Sequence, residues 1–345
     1  MNAFTPMTAL TVRAAETRDR ADIDTFLARA PGATPFHRIA WGEAVERGCN
    51  QRGHLLLAEG ERGIAGLLPL TEVRSPLFGS ALVSTGFGVG GGVLGEGSDQ
   101  LAEAAWSLAR QSGCASVELR GGALPTGWEQ RTGTYANFAR DLPQDDDAIL
   151  KAIPRKQRAE VRRALTFDLD VAIGRTAADL EAHYRAYSES VRNLGTPVFP
   201  RALFEAMLDG FGEDADILTV RRNGAPIASV LSFYVNGTVY PYWGGGTSDA
   251  RPWRANDLMY FELMRHAARR GCTRFDFGRS KLGTGAFSFK KNWGFTPEPL
   301  TYAYRGETRE MNPLSPKYRL QTALWRKLPL ALSNRLGPLI ARGLG

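Results

Sequence analysis

Three consecutive stretches in the later part of the chain alternate apolar and polar residues with the period of two that is typical of β-strands. They are joined by the dipeptides Asn223-Gly224 and Asn236-Gly237, which favour the two-residue turns of β-hairpins. The pattern therefore predicts an antiparallel meander, and this meander runs into a glycine triplet at 244–246. Glycine at such a place allows a tight turn or a close approach of the backbone to a ligand.

After this triplet the apolar residues recur at helical spacing between Leu258 and Ala268. Asn256 is the expected N-cap of this helix, and Gly271 is the expected residue just beyond its last turn. A short alternating strand is predicted at 273–277. Because loops after strands often carry function, we expect the polar residues that follow this strand to do so.

An earlier part of the chain repeats this order of elements. A hairpin pattern is followed by a glycine-rich stretch with a second triplet at 90–92, a helical pattern that starts at Ser98 and a short strand. Both helical patterns end in a Gly-Cys pair, at Gly113 and at Gly271. We therefore predict an internal duplication of one α/β unit. The predicted domains span residues 1–142 and 143–306, and a tail follows at 307–345.

A family resemblance rests on the run from Tyr240 through Gly271 to Asp276-Phe277-Gly278, closed by Phe289-Lys290 and Gly294-Phe295. This run resembles the FemAB-type aminoacyltransferases and their relatives in the GNAT acyltransferase superfamily. More narrowly, it is similar to the FemAB-like proteins of exosortase/PEP-CTERM exopolysaccharide systems. The resemblance implies an α/β (α+β) fold of two tandem GNAT-like domains, with mixed, mostly antiparallel sheets that are flanked by helices and face each other across a cleft.

The resemblance also implies an acyltransferase or aminoacyltransferase that forms an amide on an amino-bearing cell-envelope or exopolysaccharide precursor. Such a reaction needs an unprotonated amine and hydrogen-bond donors for the oxyanion. Lys290 falls on the Phe-Lys motif of the family, beside Phe289, and is implied to stabilise this oxyanion. Asp276 is expected either to orient the amine and accept its proton, or to hold the Arg279 loop through a salt bridge.

The remaining candidates are basic, amide or aromatic side chains near the expected site. Tyr240 and Tyr242 should point to one face together, where they line the acceptor cleft or fill the core. The helix predicted after Pro154 carries several basic residues, and the family resemblance places it on the acceptor side. The full set of predicted substrate-binding residues is Lys156, Arg158, Arg162, Tyr240, Tyr242, Arg254, Asn256, Arg279 and Lys281.

The net charge of +7 changes this picture because it is concentrated in two segments. The stretch 151–163 and the tail beyond 312 are both strongly basic, so the remainder of the chain is acidic. Local basic patches indicate anionic partners. We expect an anionic acyl donor, either tRNA or CoA, and a phosphate- or lipid-linked acceptor, with no DNA.

The expected acyl donor is an aminoacyl-tRNA or an acyl-CoA. Acetyl-CoA-dependent GNAT enzymes have a glycine-containing loop before the main helix, whereas this chain has none from Arg251 to Asn256. This difference favours the aminoacyl-tRNA, because a CoA pyrophosphate loses its backbone cradle. Two alternatives remain open, namely an acetyl-CoA-dependent N-acetyltransferase of the GNAT type and a non-catalytic anion-binding protein of the exosortase pathway. No tightly bound cofactor and no metal is expected, because the three cysteines are scattered.

The N-terminus has no secretion signal and no apolar run is long enough to span a bilayer, so we expect a cytoplasmic protein. The tail interleaves leucines with Arg and Lys and is broken by Pro329 and Pro338. It is expected either to pack on the first domain or to lie at the surface of the inner membrane.

Overall fold

The computed structural model describes residues 10–307 and 319–345. Its strands are β1 (Thr11–Ala14), β2 (Gly53–Gly60), β3 (Gly63–Ser75), β4 (Gly79–Ser84), β5 (Leu94–Gly95), β6 (Ser116–Arg120), β7 (Glu129–Asp141), β8 (Asp170–Gly174), β9 (Ala215–Arg222), β10 (Ala225–Val235), β11 (Thr238–Gly246), β12 (Arg274–Asp276), β13 (Ser280–Lys281) and β14 (Pro297–Gly306). Its helices are α1 (Arg20–Arg29), α2 (Ile39–Cys49), α3 (Ser98–Gln111), α4 (Asp146–Ala152), α5 (Arg155–Ala164), α6 (Ala177–Leu194), α7 (Arg201–Phe211), α8 (Ala255–Arg269), α9 (Gly285–Asn292), α10 (Arg319–Trp325) and α11 (Leu330–Ala341).

The strands form one mixed sheet in the order β1-β2-β3-β4-β6-β14-β7-β12-β11-β10-β9-β8, with β5 beside β3 and β13 beside β7. Most neighbouring strands are antiparallel, while β4 with β6 and β11 with β12 are parallel. Helices connect the strands of each parallel pair, as a parallel crossover requires. The expected fold class, a mixed and mostly antiparallel α/β architecture flanked by helices, is confirmed.

The unit does occur twice. In the first half, β1 to β4 form an antiparallel meander, and α3 leads to β6, which lies parallel to β4. In the second half, β8 to β11 form the same meander, and α8 leads to β12, which lies parallel to β11.

The two sheets are nevertheless joined, which the sequence did not indicate. Strand β14 pairs with β6 of the first half, β7 pairs with β12 of the second half, and β7 and β14 pair with each other. Each half therefore contributes one strand to the sheet of the other half.

Two local expectations in the second half of the chain were wrong. Helix α8 begins at Ala255, and its N-cap is Arg254 in the left-handed region (φ 53°), so Asn256 already lies in the first turn. The side chain of Asn256 instead packs against Gly246, where an added Cβ would lie 2.6 Å from its Oδ1 atom. Phe289 and Lys290 lie within helix α9, which the side chain of Thr284 caps, and not in a loop. The expected glycine at the end of α8 is confirmed, since Gly271 has φ +80°.

The halves share a hydrophobic core. Strands β9 and β10 direct alternate residues to their two faces, and the face that carries Phe233 packs against α6 and α7. Trp41 of α2, from the first half, is fully buried in the same cluster and stacks on Trp243 of β11 with ring centroids 5.7 Å apart. Burying a tryptophan across this boundary fixes the relative position of the halves, because its loss typically costs about 3–5 kcal/mol.

The tail packs against both halves. Asn334 of α11 donates a hydrogen bond to Ser188 of α6 (3.1 Å), and Gln51, just after α2, donates one to the carbonyl oxygen of Arg342 (2.7 Å). The packing alternative is thus observed, although on both halves and not on the first alone. Pro313 and Lys317 of the tail lie outside the described residues. Among the described helices, none is long and apolar enough to cross a bilayer.

Candidate functional site

A cavity of about 660 Å³ lies where the parallel strands β11 and β12 separate. These strands pair only at Thr238 with Arg274 and at Val239 with Phe275. Beyond this point β11 carries a register shift relative to β10, and its residues Tyr240 and Tyr242 line the cavity. We call this gap the second-half opening. Crevices at the carboxyl ends of parallel strands are common ligand sites in α/β proteins.

Lys290 reaches the cavity from helix α9. Its Nζ atom donates to the carbonyl oxygens of Gly278 and Arg279, both at 2.9 Å. Burial lowers the pKa of Lys290 to about 7, although the carboxylate of Asp276 acts in the opposite direction. Because an ammonium group has three N–H donors, one remains for a ligand when Lys290 is protonated.

Asp276 lines the cavity at the end of β12. Its carboxylate accepts hydrogen bonds from the backbone N–H of Gly278 (2.8 Å) and from the side chain of Asn137 (3.2 Å). Burial raises the pKa of Asp276, and a raised pKa makes a carboxylate a stronger base. Its two protein partners are both neutral donors, and among the described residues no ion pair joins Asp276 to Arg279. The expected salt bridge is therefore not how the Arg279 loop is held.

Arg279 also lines the cavity, and aromatic residues surround it. Its guanidinium carbon lies 4.5 Å from the ring centre of Tyr135, and its Nη1 atom donates to the hydroxyl of Tyr302 at 2.5 Å. Tyr242 holds the opposite wall by donating its hydroxyl hydrogen to the carbonyl of Phe87 (2.6 Å). Burial raises the pKa of Tyr240 and of Tyr242, so both phenols are neutral at pH 7.

The other predicted site residues do not line this cavity. The ring of Phe289 packs against Tyr260 of α8 and Trp293, with ring centroids 5.7 and 6.1 Å apart, and so attaches α9 to α8. Arg254 forms an ion pair with Glu160 of α5. The residues that do not line the cavity are Phe289, Lys156, Arg158, Arg162, Arg254, Asn256 and Lys281. Their predicted roles in substrate binding stay predictions.

Sequence reasoning missed His37, which lines the cavity from the first half. Its Nδ1 atom accepts from the backbone N–H of Thr34 and its Nε2 atom then donates to the carbonyl of Gly92, both at 3.1 Å. Burial lowers the pKa of His37 to about 4. This imidazole is therefore neutral at pH 7 with both nitrogens engaged, and it positions the glycine-rich loop instead of acting as a base.

Sequence reasoning also missed Arg120, which fills the gap where β4 and β6 separate. We call this gap the first-half opening. The buried Arg120 side chain donates to Glu118 (2.7 Å) and to the carbonyls of Gly88 (2.9 Å) and Thr85 (3.3 Å). Its Nη2 atom donates to the carbonyl oxygen of Gly345, so the tail reaches the same cavity. No local pattern signalled these contacts, because the partners are distant in sequence.

The comparisons with known proteins agree with this geometry. Residues 152–291, which include Asp276 and Lys290, match the family model of the acetyltransferase (GNAT) domain. No curated protein matches the chain significantly. Among solved structures, FemX is similar with a TM-score of 0.66 at 14% identity, covering 84% of this chain and 96% of that one.

Two further structures have the same fold. L-PGS from Bacillus licheniformis gives a TM-score of 0.54 at 16% identity, covering 90% of this chain and 98% of that one. A tandem GNAT protein from the clavulanic acid biosynthesis pathway gives 0.53 at 12% identity, covering 86% and 98%. At these identities the likeness concerns the fold alone. The chain thus has a fold similar to that of these GNAT and Fem-type structures, and the match to the acetyltransferase (GNAT) domain lies in its second half.

Proposed function

We propose that this chain is an acyltransferase or aminoacyltransferase that forms an amide bond on an amino-bearing acceptor. The observation that carries the proposal is the buried Lys290 ammonium, which two backbone carbonyls hold at the cavity wall with one N–H free for a ligand. A fixed donor that is partly withdrawn from water stabilises a developing oxyanion more than the same group in water.

In the proposed reaction the acceptor amine attacks the carbonyl carbon of the donor and a C–N bond forms. The carbonyl oxygen becomes negative in the tetrahedral intermediate, and Lys290 donates a hydrogen bond to it. Asp276, whose pKa is raised by burial, accepts the proton of the amine. When the intermediate collapses, the ester C–O bond of an aminoacyl-tRNA or the thioester C–S bond of an acyl-CoA breaks, and the departing oxygen or sulfur takes this proton.

For the donor, we favour aminoacyl-tRNA over acyl-CoA. GNAT enzymes that use CoA hold its pyrophosphate on glycine backbone at the start of the main helix. Here this place is occupied by Arg254, a non-glycine residue whose side chain is already paired with Glu160. An acetyl-CoA-dependent N-acetyltransferase is the second candidate, because the matching family model is named for acetyl transfer.

For the acceptor, we propose a phosphate- or lipid-linked precursor of the cell envelope or of an exopolysaccharide, as in PEP-CTERM systems. We propose that the protein binds this precursor at an anionic membrane surface. In support, α11 exposes Leu332, Leu336 and Leu339 at helical spacing, with Arg335 between them. Residues 319–345 include five basic residues and no acidic one. Apolar groups next to cations suit an anionic interface, where each basic residue adds about 1 kcal/mol.

The test compares Lys290→Ala with Lys291→Ala, whose side chain is exposed one residue further along α9. Turnover is followed as deacylated tRNA from aminoacyl-tRNA, or as free thiol from acyl-CoA, with a panel of amino sugars and peptides as acceptors. Mass spectrometry of ligands that co-purify with the protein, with tRNA and CoA as the first candidates, narrows this panel.

We expect Lys290→Ala to lower kcat by about 10²–10³-fold while donor affinity is kept, because the lost bond forms only in the transition state. Lys291→Ala should behave as the wild type. Equal turnover in both variants contradicts the catalytic role of Lys290. Donor binding without turnover in the wild type, under any acceptor, would favour the non-catalytic anion-binding protein.

A further inference from the structure

Arg279 differs from the other arginine of the cavity wall. Arg120 is neutralised by Glu118, but among the described residues no carboxylate forms an ion pair with Arg279. Its one protein hydrogen bond within that part of the chain is the bond from Nη1 to the hydroxyl of Tyr302. A guanidinium group has five N–H donors, so most of those on Arg279 have no acceptor among the described residues.

Arg279 carries its charge at pH 7, because a guanidinium group does not lose its proton in proteins. A charge that is removed from water without a partner is costly, and such groups in proteins are normally paired or bind a ligand. The guanidinium group lines an open cavity, and a ligand therefore has access to it.

The position of Arg279 relative to Lys290 restricts which part of a ligand it meets. The carbonyl oxygen of Arg279 itself accepts a hydrogen bond from Lys290 Nζ at 2.9 Å. The guanidinium group therefore lies within one arginine side-chain length of the reacting centre. The diphosphate of CoA is separated from its thioester by the whole pantetheine arm, so it does not suit both residues at once.

We infer that Arg279, anchored by the hydroxyl of Tyr302, forms a subsite for an oxyanion, a carboxylate or a phosphate, carried by the acceptor close to its reacting amine. A planar guanidinium binds such groups through two parallel N–H···O bonds. The guanidinium carbon of Arg279 lies 4.5 Å from the ring centre of Tyr135, and this contact restricts the orientation of the guanidinium group. That the anion belongs to the acceptor rests on the proposed function. The anion site itself does not depend on that function.

Direct binding tests the subsite without any need for turnover. Inorganic phosphate and acetate are titrated by calorimetry into the full chain at constant ionic strength, with chloride as the reference anion. The variants are Arg279→Gln, Arg279→Lys and, as the matched control, Arg305→Gln on β14, whose partners are Glu103 and two tryptophan rings outside the cavity. Far-UV circular dichroism and Tm in chloride confirm that each variant is folded.

We expect Arg279→Gln to weaken binding of the preferred anion at least tenfold, Arg279→Lys to keep part of it, and Arg305→Gln to change nothing. The preference between phosphate and acetate identifies the anion. Equal affinities in the wild type and Arg279→Gln, or no binding of either anion to the wild type, would overturn the subsite.

A second comparison separates this failure from that of the proposed function. Lys290→Ala should lose turnover but keep phosphate or acetate affinity, whereas Arg279→Gln should raise the acceptor KM more than it lowers kcat. If Lys290→Ala keeps full turnover while the anion still binds at Arg279, the proposed chemistry is wrong and the subsite stands.

Discussion

The first-half and second-half openings arise from the same topology but contain different groups. Strands β4 and β6 separate after Ser84, and Arg120 with the glycine-rich loop fills the gap between them. The backbone N–H of Arg120 is also bound by the Ser84 hydroxyl at 2.9 Å. Strands β11 and β12 separate after Val239, and the residues on either side of this gap line the cavity. Both openings border the same cavity, and we expect their side chains to decide which of them holds the ligand.

The carboxylates at equivalent positions make the difference concrete. Glu118 and Asp276 each lie four residues after the cysteine of a Gly-Cys pair. Glu118 accepts a hydrogen bond from the buried Arg120, so its charge is neutralised in a structural ion pair. Asp276 has neutral partners and a raised pKa, so it remains available for proton transfer. Chemistry is thus expected in the second-half opening only.

The largest effect that we expect is on stability, from Arg120→Met. This variant leaves Glu118 half-buried without its cation and removes the donors of the Thr85 and Gly88 carbonyls. We expect the free energy of unfolding to fall by about 3 kcal/mol. Arg279→Met, which breaks no ion pair, should change it by less than about 1 kcal/mol. Urea unfolding of both variants measures this contrast, and similar losses would mean that the openings do not differ as described.

The glycine triplets provide the next test. A Cβ atom at Gly92 would lie 1.8 Å from the carbonyl oxygen of Gly121, so Gly92→Ala requires the backbone to move. We expect a loss of about 2–3 kcal/mol. At Gly245 a Cβ atom would meet only the side chain of Ser190, at 2.3 Å from its Oγ. Gly245→Ala should cost less than Gly92→Ala, about 1–2 kcal/mol, because the Oγ atom can rotate away and only the Cβ atom of Ser190, at 2.6 Å, has to shift.

The double variant Gly245→Ala/Ser190→Gly is the control for this pair, since it removes both Ser190 atoms that the new Cβ would meet. Its stability should return to that of Ser190→Gly alone. A deficit that persists in the double variant would show that the backbone, and not Ser190, limits the space at Gly245.

The pH dependence of turnover sharpens the comparison at Lys290. Because burial lowers its pKa to about 7, Lys290 is a protonated donor below this pH and a neutral amine above it. An oxyanion role predicts that kcat falls about tenfold per pH unit on the alkaline side. Lys291→Ala should keep this limb, and Lys290→Arg, if active, should shift it upward. A rate that instead rises through pH 7 would make the neutral amine of Lys290 a base.

The smallest expected effect concerns the tail, which approaches the first-half opening through Gly345. Replacing Leu332, Leu336 and Leu339 together by Ser should reduce flotation with anionic vesicles severalfold, since the apolar contact is lost. Leu165→Ser, at the exposed leucine that follows α5, is the control and should float like the wild type. Vesicles of neutral lipids should bind neither the wild type nor the two variants. Equal flotation of both variants would remove the membrane role of α11.

The sequence by itself was sufficient for the features that depend on neighbours in the chain. The Asn-Gly turns, the meander, helix α8 and the repeated order of elements all follow from local conformational preference and short-range periodicity. The family resemblance directed attention to Lys290 and Asp276, and the structure does place both at the cavity, together with Arg279. Their catalytic and binding roles stay predictions.

Only the tertiary structure decided what fills each opening. The exchange of β7 and β14 brings Asn137 of the first half to Asp276, and no local pattern states which sheet edge a strand will join. The same holds for His37 and Arg120, whose partners lie far away along the chain. The lowered pKa of Lys290 is a consequence of burial, and the lack of a carboxylate partner for Arg279 among the described residues is a consequence of which elements pack around it. Both are determined by long-range packing, because the environment of a group depends on every element around it and not on its own sequence position.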